Sequence, residues 1–412
     1  MNRADAIEEN SKVRISTLIL VLYLIFLPIS TAMSGFLISS SIQSVVAVVF
    51  IAVSVLEVLI SRKLTFDKRL TPAYLFFAFM LLTSLWNKYF ELDWYLLQFA
   101  VTFLIVVCVS IRYYSDAELK FIEIAFYCSI LSAIISSLFF SYMNGGRMYI
   151  RIFSRMDPND FACGLAIAFA LCLSTLKKSK RAILNGICLV AILVIVYFTG
   201  SRGGLLTMLA IIFVWVLSIK GRLKYQLLVL MFAAVALLLF CAEYGIGPSL
   251  IRRFSITSLI ASGGTGRLDI WKAAFNCFKS QDPFHILFGN GYGSFFQTVR
   301  YVAIGNNYQY ASHNMYVNTL IEGGIFGLGL MMSCFITLYV YAIKHKNLFG
   351  VLAITGFIVS GVSLDTQAYR TFAIAVAVAI IWRKSDYAIL NRDKDPSSKE
   401  LLGNEITQRR LH

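Results

Sequence analysis

Charge is what this sequence has little of. Asp, Glu, Lys and Arg make up 14% of its 412 residues and apolar residues 58%, where soluble domains hold about 25% charged residues. That excludes a water-soluble globular chain. His is scarcer still, four in all, which leaves little material for a His-rich metal centre. The eight Cys (108, 128, 163, 172, 188, 241, 277 and 334) fall mostly inside apolar runs. Their spacings match no zinc pattern and no disulfide frame, so they read as small core residues. No repeat at solenoid periods and no low-complexity linker is visible. The first apolar run, Ile15 to Met33, is too long for a signal-peptide core and no clear small-residue cleavage site follows it, so a retained first span is expected.

What the chain does have is apolar runs of seventeen or more residues recurring along its length, the signature of bilayer-spanning helices. Their lengths place spans near 15–33, 42–60, 72–86, 95–111, 121–143, 160–176, 183–199, 205–219, 225–242, 315–342, 348–364 and 371–382, the third, eighth and twelfth being short. All are expected to be helical, because a lipid-exposed backbone must satisfy its own hydrogen bonds. The expected fold is an all-α polytopic membrane protein of about twelve spans with one large external loop. Its parts are spans one to nine in 1–242, the loop in 243–314, spans ten to twelve in 315–382 and a polar, disordered tail in 383–412.

Nucleic acid is one partner for a net charge of +15, but the basic residues sit between spans, which makes orientation the first explanation. One alternate set of connectors carries 25 Lys and Arg and the other carries 12. The richer side is cytoplasmic by the positive-inside rule, which puts both termini inside and the large loop outside. The outer set holds nine Arg and three Lys, the inner set eleven Arg and fourteen Lys. Lys is enough for orientation, whereas the guanidinium fork grips phosphate at two points. The outer bias therefore points to an anionic ligand.

Glu243 to Asn314 is the one long hydrophilic interruption. Within it Gly263-Gly264-Thr265-Gly266-Arg267 opens a segment with Leu268, Trp271, Phe275 and Phe278 at helical spacing, a pattern for a helix lying on the outer leaflet. Arg267 at its N-terminus would meet an anion alongside backbone donors; an interfacial helix without a ligand fits the same pattern. Gly289-Asn290-Gly291-Tyr292-Gly293 reads as a turn, since no helix follows it. Thr199-Gly200-Ser201-Arg202-Gly203-Gly204 joins two apolar runs with almost no loop, and Arg202 either snorkels to head groups or takes a lipid-linked phosphate.

His313-Asn314 sits where the loop enters the tenth span. Only His285 and His313 lie outside, and His can act as base on a sugar hydroxyl, although a lone His is often structural. Gly145-Gly146-Arg147, Arg151 and Arg155 precede Asp157-Pro158-Asn159-Asp160, where an acid caps the sixth span and the Arg trio is a candidate for phosphate or acidic sugar. Arg252, Arg253, Arg300, Arg370 and Asn314 are further candidate glycan or phosphate contacts; an ion pair with Asp365 serves Arg370 equally well. Glu91-Leu92-Asp93 is an outer carboxylate pair with no His or further acids to support a metal.

Asp157-Pro158-Asn159, Ser201-Arg202-Gly203-Gly204, Gly266-Arg267 with Trp271, Gly289 and Gly291, Ser312-His313-Asn314 and Glu322-Gly323-Gly324 form an ordered set over about 145–330. In that order they resemble the O-antigen polymerases and O-antigen ligases, bacterial envelope glycosyltransferases. The first 140 residues match only in hydrophobicity. The resemblance implies a cofactor-free, metal-independent transfer of saccharide from undecaprenyl diphosphate to an acceptor glycolipid, at the periplasmic face of the inner membrane. Arg202 and Arg267 would hold the diphosphate and His313 would activate the acceptor hydroxyl. A flippase and a chain-length regulator are implied partners beside membrane lipids, and no nucleic acid is.

Polymerase is the favoured reading, from the Asp-Pro-Asn element and from the ten residues separating Arg252 from Gly263 and Arg253 from Gly264. A ligase acting on lipid A-core is the alternative. A lipid-linked oligosaccharide flippase is the reading from another class, expected to show evenly short loops and a paired repeat.

Overall fold

The computed structural model describes residues 13–26, 29, 37–61, 70–89, 94–111, 114–151, 157–176, 181–261, 266–299, 301–303, 306–308 and 311–365. Helices α1 (Ile15–Ile25), α2 (Leu37–Ser61), α3 (Thr71–Thr83, continued by a 3-10 turn to Trp86), α4 (Trp94–Ser110) and α5 (Asp116–Phe139) come first. A hairpin, β1 (Ser141–Asn144) and β2 (Arg147–Ile150), leads into α6 (Pro158–Gly164), α7 (Ala166–Thr175), α8 (Ala182–Thr199), α9 (Arg202–Leu217) and α10 (Arg222–Tyr244). The large loop holds a 3-10 turn (Ser249–Phe254), α11 (Ile256–Ala261), α12 (Arg267–Lys279), α13 (Pro283–Phe288), α14 (Phe295–Thr298) and a second hairpin, β3 (Tyr301–Ala303) and β4 (Asn306–Tyr308). The described chain closes with α15 (Met315–Lys344) and α16 (Leu348–Ser360).

Among the described residues six helical segments are long and apolar enough to cross a membrane: Ser44–Ser61, Asp116–Phe139, Pro158–Thr175, Ala182–Thr199, Arg222–Tyr244 and Met315–Lys344. Five more apolar helices, at Ile15–Ile25, Thr71–Trp86, Leu96–Ser110, Arg202–Leu217 and Leu348–Ser360, are shorter. Eleven of the twelve expected spans thus fall on apolar helices; 371–382 and the tail lie outside the described residues. A multi-pass membrane protein is the architecture these helices make.

Two expected spans need correction, and the fold class a detail. The expected all-α class holds, the structure being mostly helical, with two short antiparallel hairpins outside that expectation. The fifth span ends at Phe139 rather than 143: Tyr142 and Met143 are apolar but pair with Tyr149 and Met148 across the first hairpin. The tenth span is broken at Gly324, whose φ of 65° and ψ of −166° are non-helical, a region open in practice to glycine alone.

The main core is built where α3 packs on α15, α9 and α7 on α16, and α1 on α5. Phe76, Phe77, Phe99, Phe126, Phe161 and Phe169 are all buried there. A smaller cluster lies under the large loop: Ile270 and Ala274 of α12, Phe295 and Val299 around α14, and Val317 and Ile321 of α15. A helix is present over Arg267–Lys279 as expected, with Ile270 and Ala274 as its buried face, Trp271 and Phe278 half-buried, and Leu268 and Phe275 exposed. The helix is apolar on two sides, one against protein and one left open.

Candidate active site

Four chain elbows come together at one end of the bundle, and each is held by its own backbone chemistry. At the first, the Asp157 carboxylate accepts from Asn159 N at 2.7 Å and Asp160 N at 3.4 Å, capping α6 with Pro158 in its first turn. At the second, Gly200 ends α8 in the left-handed conformation and Ser201 caps α9 by accepting from Gly204 N at 3.0 Å. At the third, Gly266, φ 82°, opens α12. At the fourth, the Asn314 side chain accepts from Tyr316 N (3.0 Å) and Val317 N (3.1 Å) to cap α15.

The second and fourth elbows dock on the turn after α16. A Cβ on Gly203 would overlap Ser363, and one on Gly204 would lie 2.6 Å from the Ala162 Cβ, so only glycine lets α9 approach α6 and this turn so closely. Opposite, Asn314 Nδ2 donates to Val362 O at 3.2 Å and Met315 N to Gly361 O at 2.8 Å. The third elbow is tied to the fourth, since Trp271 Nε1, one turn beyond Arg267, donates to Ser312 O at 2.9 Å. Arg202 and Arg267 are therefore the first residues of their helices, and His313 stands two residues before α15. Three helix N-termini bring the positive ends of their dipoles to these elbows, and that of α12 has no side-chain cap, a setting that favours an anion.

Arg147 joins the cluster from the hairpin, donating through Nε to Thr199 O and through Nη2 to Asn159 Oδ1, both at 2.9 Å. Arg202 donates through Nε to Arg253 O at 2.5 Å and through Nη2 to Ser258 Oγ at 3.2 Å. Arg253 Nε reaches back to Gly200 O at 3.4 Å. Burial lowers the Arg253 pKa, and the charges of Arg147 and Arg202 lower it further. Arg267 is also depressed, first by burial and then by Arg147, against the opposing pull of Asp157, Cys163 and Asp160.

Among the described residues no carboxylate forms an ion pair with Arg147, Arg202, Arg253 or Arg267, and Arg267 donates no hydrogen bond. The four are half-buried, and like charges brought together with only the more distant pull of Asp157 and Asp160 on Arg267 are costly unless a ligand supplies further negative charge.

His313 has φ 47°, the left-handed region, a conformation that costs a non-glycine residue on the order of 1–3 kcal/mol and clusters at functional sites. Ser312 fixes it by bonding across to Asn314, Oγ to O at 3.0 Å and N to Oγ at 3.2 Å. The imidazole has no hydrogen-bond partner among the described residues. Burial, then the Arg267 charge, push its pKa below the usual value, with Asp157 opposing. A neutral imidazole near pH 7 is the form a base requires.

The other candidates are exposed, already bonded or outside the described residues. Arg151 and Arg252 are exposed, and the Arg252 guanidinium lies against Gly245 at the end of α10. Asn314 has both side-chain ends occupied, one capping α15 and one on Val362. His285 pairs with Asp282 at 2.5 Å. Arg155, Arg300, Arg370, Glu91 and Asp93 lie outside the described residues. Among the described residues no three His, Cys, Asp or Glu side chains gather into a group able to hold a metal ion.

The glycine-rich turn after α13 is a turn, as expected, with a role that local sequence does not reveal. The break at Gly324 strips helix partners from the carbonyls before it, and the turn replaces them. Asn290 N and Nδ2 both donate to Ile321 O at 3.0 Å, and Gly291 N donates to Glu322 O at 2.9 Å. Buried Glu322 accepts from Phe295 N at 3.3 Å. On the other side, Tyr292 N donates to Thr83 Oγ1 (2.9 Å), Asn87 Nδ2 to Tyr292 O (2.8 Å) and Trp86 Nε1 to Gly289 O (3.1 Å). The turn thus clamps the half-helix behind His313 to the end of α3. Of these residues the Gly289–Gly293 turn and Glu322-Gly323-Gly324 stand out in sequence; Thr83, Trp86 and Asn87, which hold the turn from the other side, carry no local signal.

Residues 187–332 match the family model described as O-antigen ligase, which bears out over that stretch the resemblance read from the motifs. The match takes in Arg202, Arg253, Arg267 and His313 and leaves out the first hairpin and Asp157. It supports an O-antigen ligase/polymerase-type, glycosyltransferase-like function acting on lipid-linked saccharide and a lipid acceptor. No curated protein matches the chain.

Proposed function

We propose that the chain transfers a saccharide from undecaprenyl diphosphate to the hydroxyl of an acceptor glycolipid at the outer face of the inner membrane. The observation that carries this reading is one cationic region, with no carboxylate within ion-pair distance among the described residues, beside a half-buried histidine that burial and the Arg267 charge push towards its neutral form. His313 takes the proton from the acceptor hydroxyl as its oxygen attacks the anomeric carbon. The bond from that carbon to the diphosphate oxygen breaks, and the diphosphate leaves on the lipid carrier. Arg202 and Arg267 neutralise the charge growing on the leaving group, stabilisation that matters most in the transition state. Direct displacement by one hydroxyl inverts the anomeric centre.

Polymerase is the reading favoured here, with a second lipid-linked repeat unit as acceptor, on the Asp157-Pro158-Asn159 element that caps α6 beside Arg147. The match of residues 187–332 to the O-antigen ligase family favours the ligase as second reading. A deletion strain separates them. One repeat unit on lipid A-core means polymerase; long chains stranded on the carrier mean ligase; normal surface polysaccharide refutes both. Within the site, His313→Ala is expected to abolish long-chain product while the protein stays in the membrane, and full-length chains from that variant would remove His313 as the base.

A further inference from the structure

Beside the arginine cluster stands an aromatic surface that the transfer chemistry does not use. Tyr142 and Tyr149 oppose each other in the register of the first hairpin, with ring centroids 5.8 Å apart and planes 24° from parallel. β1 is exposed along its whole length, and Tyr142 keeps 36% of its surface open. The hairpin is fastened to the cluster through Arg147, whose Nε and Nη2 bonds reach the Thr199 and Asn159 elbows and whose Cζ lies 5.7 Å from the Tyr149 ring centroid. Tyr149 also stands close enough to Arg253 to act on its charge. An aromatic surface begins where the cationic one ends.

We infer that Tyr142 and Tyr149 form a stacking platform for the saccharide ring next to the diphosphate, an inference that rests on the diphosphate reading above. In a glycosyl diphosphate a single oxygen joins the first sugar to phosphorus, so the sugar must lie within a ring's width of the groups that hold the phosphates. The less polar face of a pyranose presents C–H groups, and an aromatic face carries the negative side of its quadrupole towards them. Tyr is a rigid amphipathic surface with two torsions to fix, and the stack fixes them before any ligand arrives. A tyrosine at the end of a spanning helix is also an ordinary interfacial anchor. An anchor, however, has no need of a stacked partner or of a bond network into an arginine cluster.

The test uses the full chain in lipid nanodiscs with two probes, undecaprenyl diphosphate carrying one N-acetylhexosamine and bare undecaprenyl diphosphate. Tyr142→Ala is expected to weaken the sugar-bearing probe roughly five- to tenfold and to leave the bare lipid unchanged, whereas Tyr142→Phe, which keeps the ring, stays within about twofold of wild type. Tyr142→Leu keeps the bulk without a π-face and should follow Tyr142→Ala, which covers the case in which the alanine variant is poorly inserted. Equal weakening of both probes, or no weakening of the sugar-bearing one, overturns the platform and leaves an anchor. Equal wild-type affinity for both probes overturns the platform alone. Failure of the wild type to bind either probe overturns the diphosphate reading, and the platform with it.

Discussion

Gly291→Ala tests whether the glycine-rich turn sets the active site or merely closes a loop. Gly291 has φ 96°, where an L-residue costs about 1–2 kcal/mol. A Cβ there would stand 2.6 Å from the Asn87 Cβ, 2.7 Å from Thr83 O and 2.9 Å from the Asn87 Cα. Two of those three atoms are backbone of α3's end, so the turn must retreat by several tenths of an ångström, and overpacking of this kind costs about 1–3 kcal/mol. The sum, about 2–5 kcal/mol, is set against five hydrogen bonds of the turn to Ile321, Glu322, Thr83 and Asn87, each contributing about 1 kcal/mol net.

The two are of the same size, so the turn should undock locally while the bundle stays folded. The half-helix from Met315 to Gly323 then loses the carbonyl partners that hold it, and His313 loses its fixed place. Gly293→Ala is the control, because Gly293 also has positive φ, 82°, but open space where the Cβ would go. Polysaccharide gels and membrane-protein immunoblots on the two strains are the assay. Gly291→Ala should lose long-chain product with protein retained, and Gly293→Ala should keep most of it. Equal loss in both, or wild-type product from Gly291→Ala, would refute the reasoning.

Arg202→Lys should fail to support long chains, because an ammonium cannot reproduce the fork that bonds Arg253 O and Ser258 while facing a ligand; wild-type chain length would favour snorkelling instead. Purified protein in excess EDTA should retain its transfer activity, and loss reversed by added metal would bring Glu91 and Asp93 back as ligands. Asn314→Ala should lower thermal stability by about 1 kcal/mol through the lost cap, with a further loss from the bond to Val362, and an unchanged melting point would show that the elbow is held by other means.

The elbows were legible in sequence because each is built from residues with local jobs. Asp157-Pro158, Gly200-Ser201 and Ser312-Asn314 are cap and turn signals whatever surrounds them, and each stands beside a charge that apolar flanks make conspicuous. That they meet was inferred from Arg content and from resemblance. The pieces that join them, Gly203 on Ser363 and Asn314 on Val362, are separated by far too much chain for spacing to reveal.

The α12 face was legible only in part, for a different reason. Leu268 and Phe275 do lie on a helical stripe with Trp271, but Ile270 and Ala274 are the residues protein covers. A helix between protein and bilayer has two apolar neighbours, and periodicity reports apolarity without saying which neighbour it serves. The first hairpin was hidden because Tyr142 and Met143 extend the hydrophobic run of α5 past its true end. The clamp on α15 was hidden because a broken helix is visible only once something satisfies its backbone.

The pH profile offers the sharpest check on the pairing of Arg267 with His313. A base must be neutral, so the acid limb of kcat/KM follows the His313 pKa in the free enzyme. Burial and the Arg267 cation both disfavour the imidazolium and place that pKa below the ordinary histidine value, while Asp157 favours the imidazolium and works against them. Activity should therefore be full at neutral pH and fall only as the medium becomes acidic. Arg267→Gln removes a cation, so the limb should move to higher pH, whatever happens to the amplitude of the rate. Asp157→Asn removes an anion yet leaves a side chain that caps α6 equally well, so the limb should move to lower pH with the fold kept. Opposite displacements from two substitutions more than a hundred residues apart in sequence are what a shared electrostatic site produces, and a merely structural histidine would move neither limb. Displacements in the same direction, or a limb that ignores both changes, would mean that some other group takes the proton.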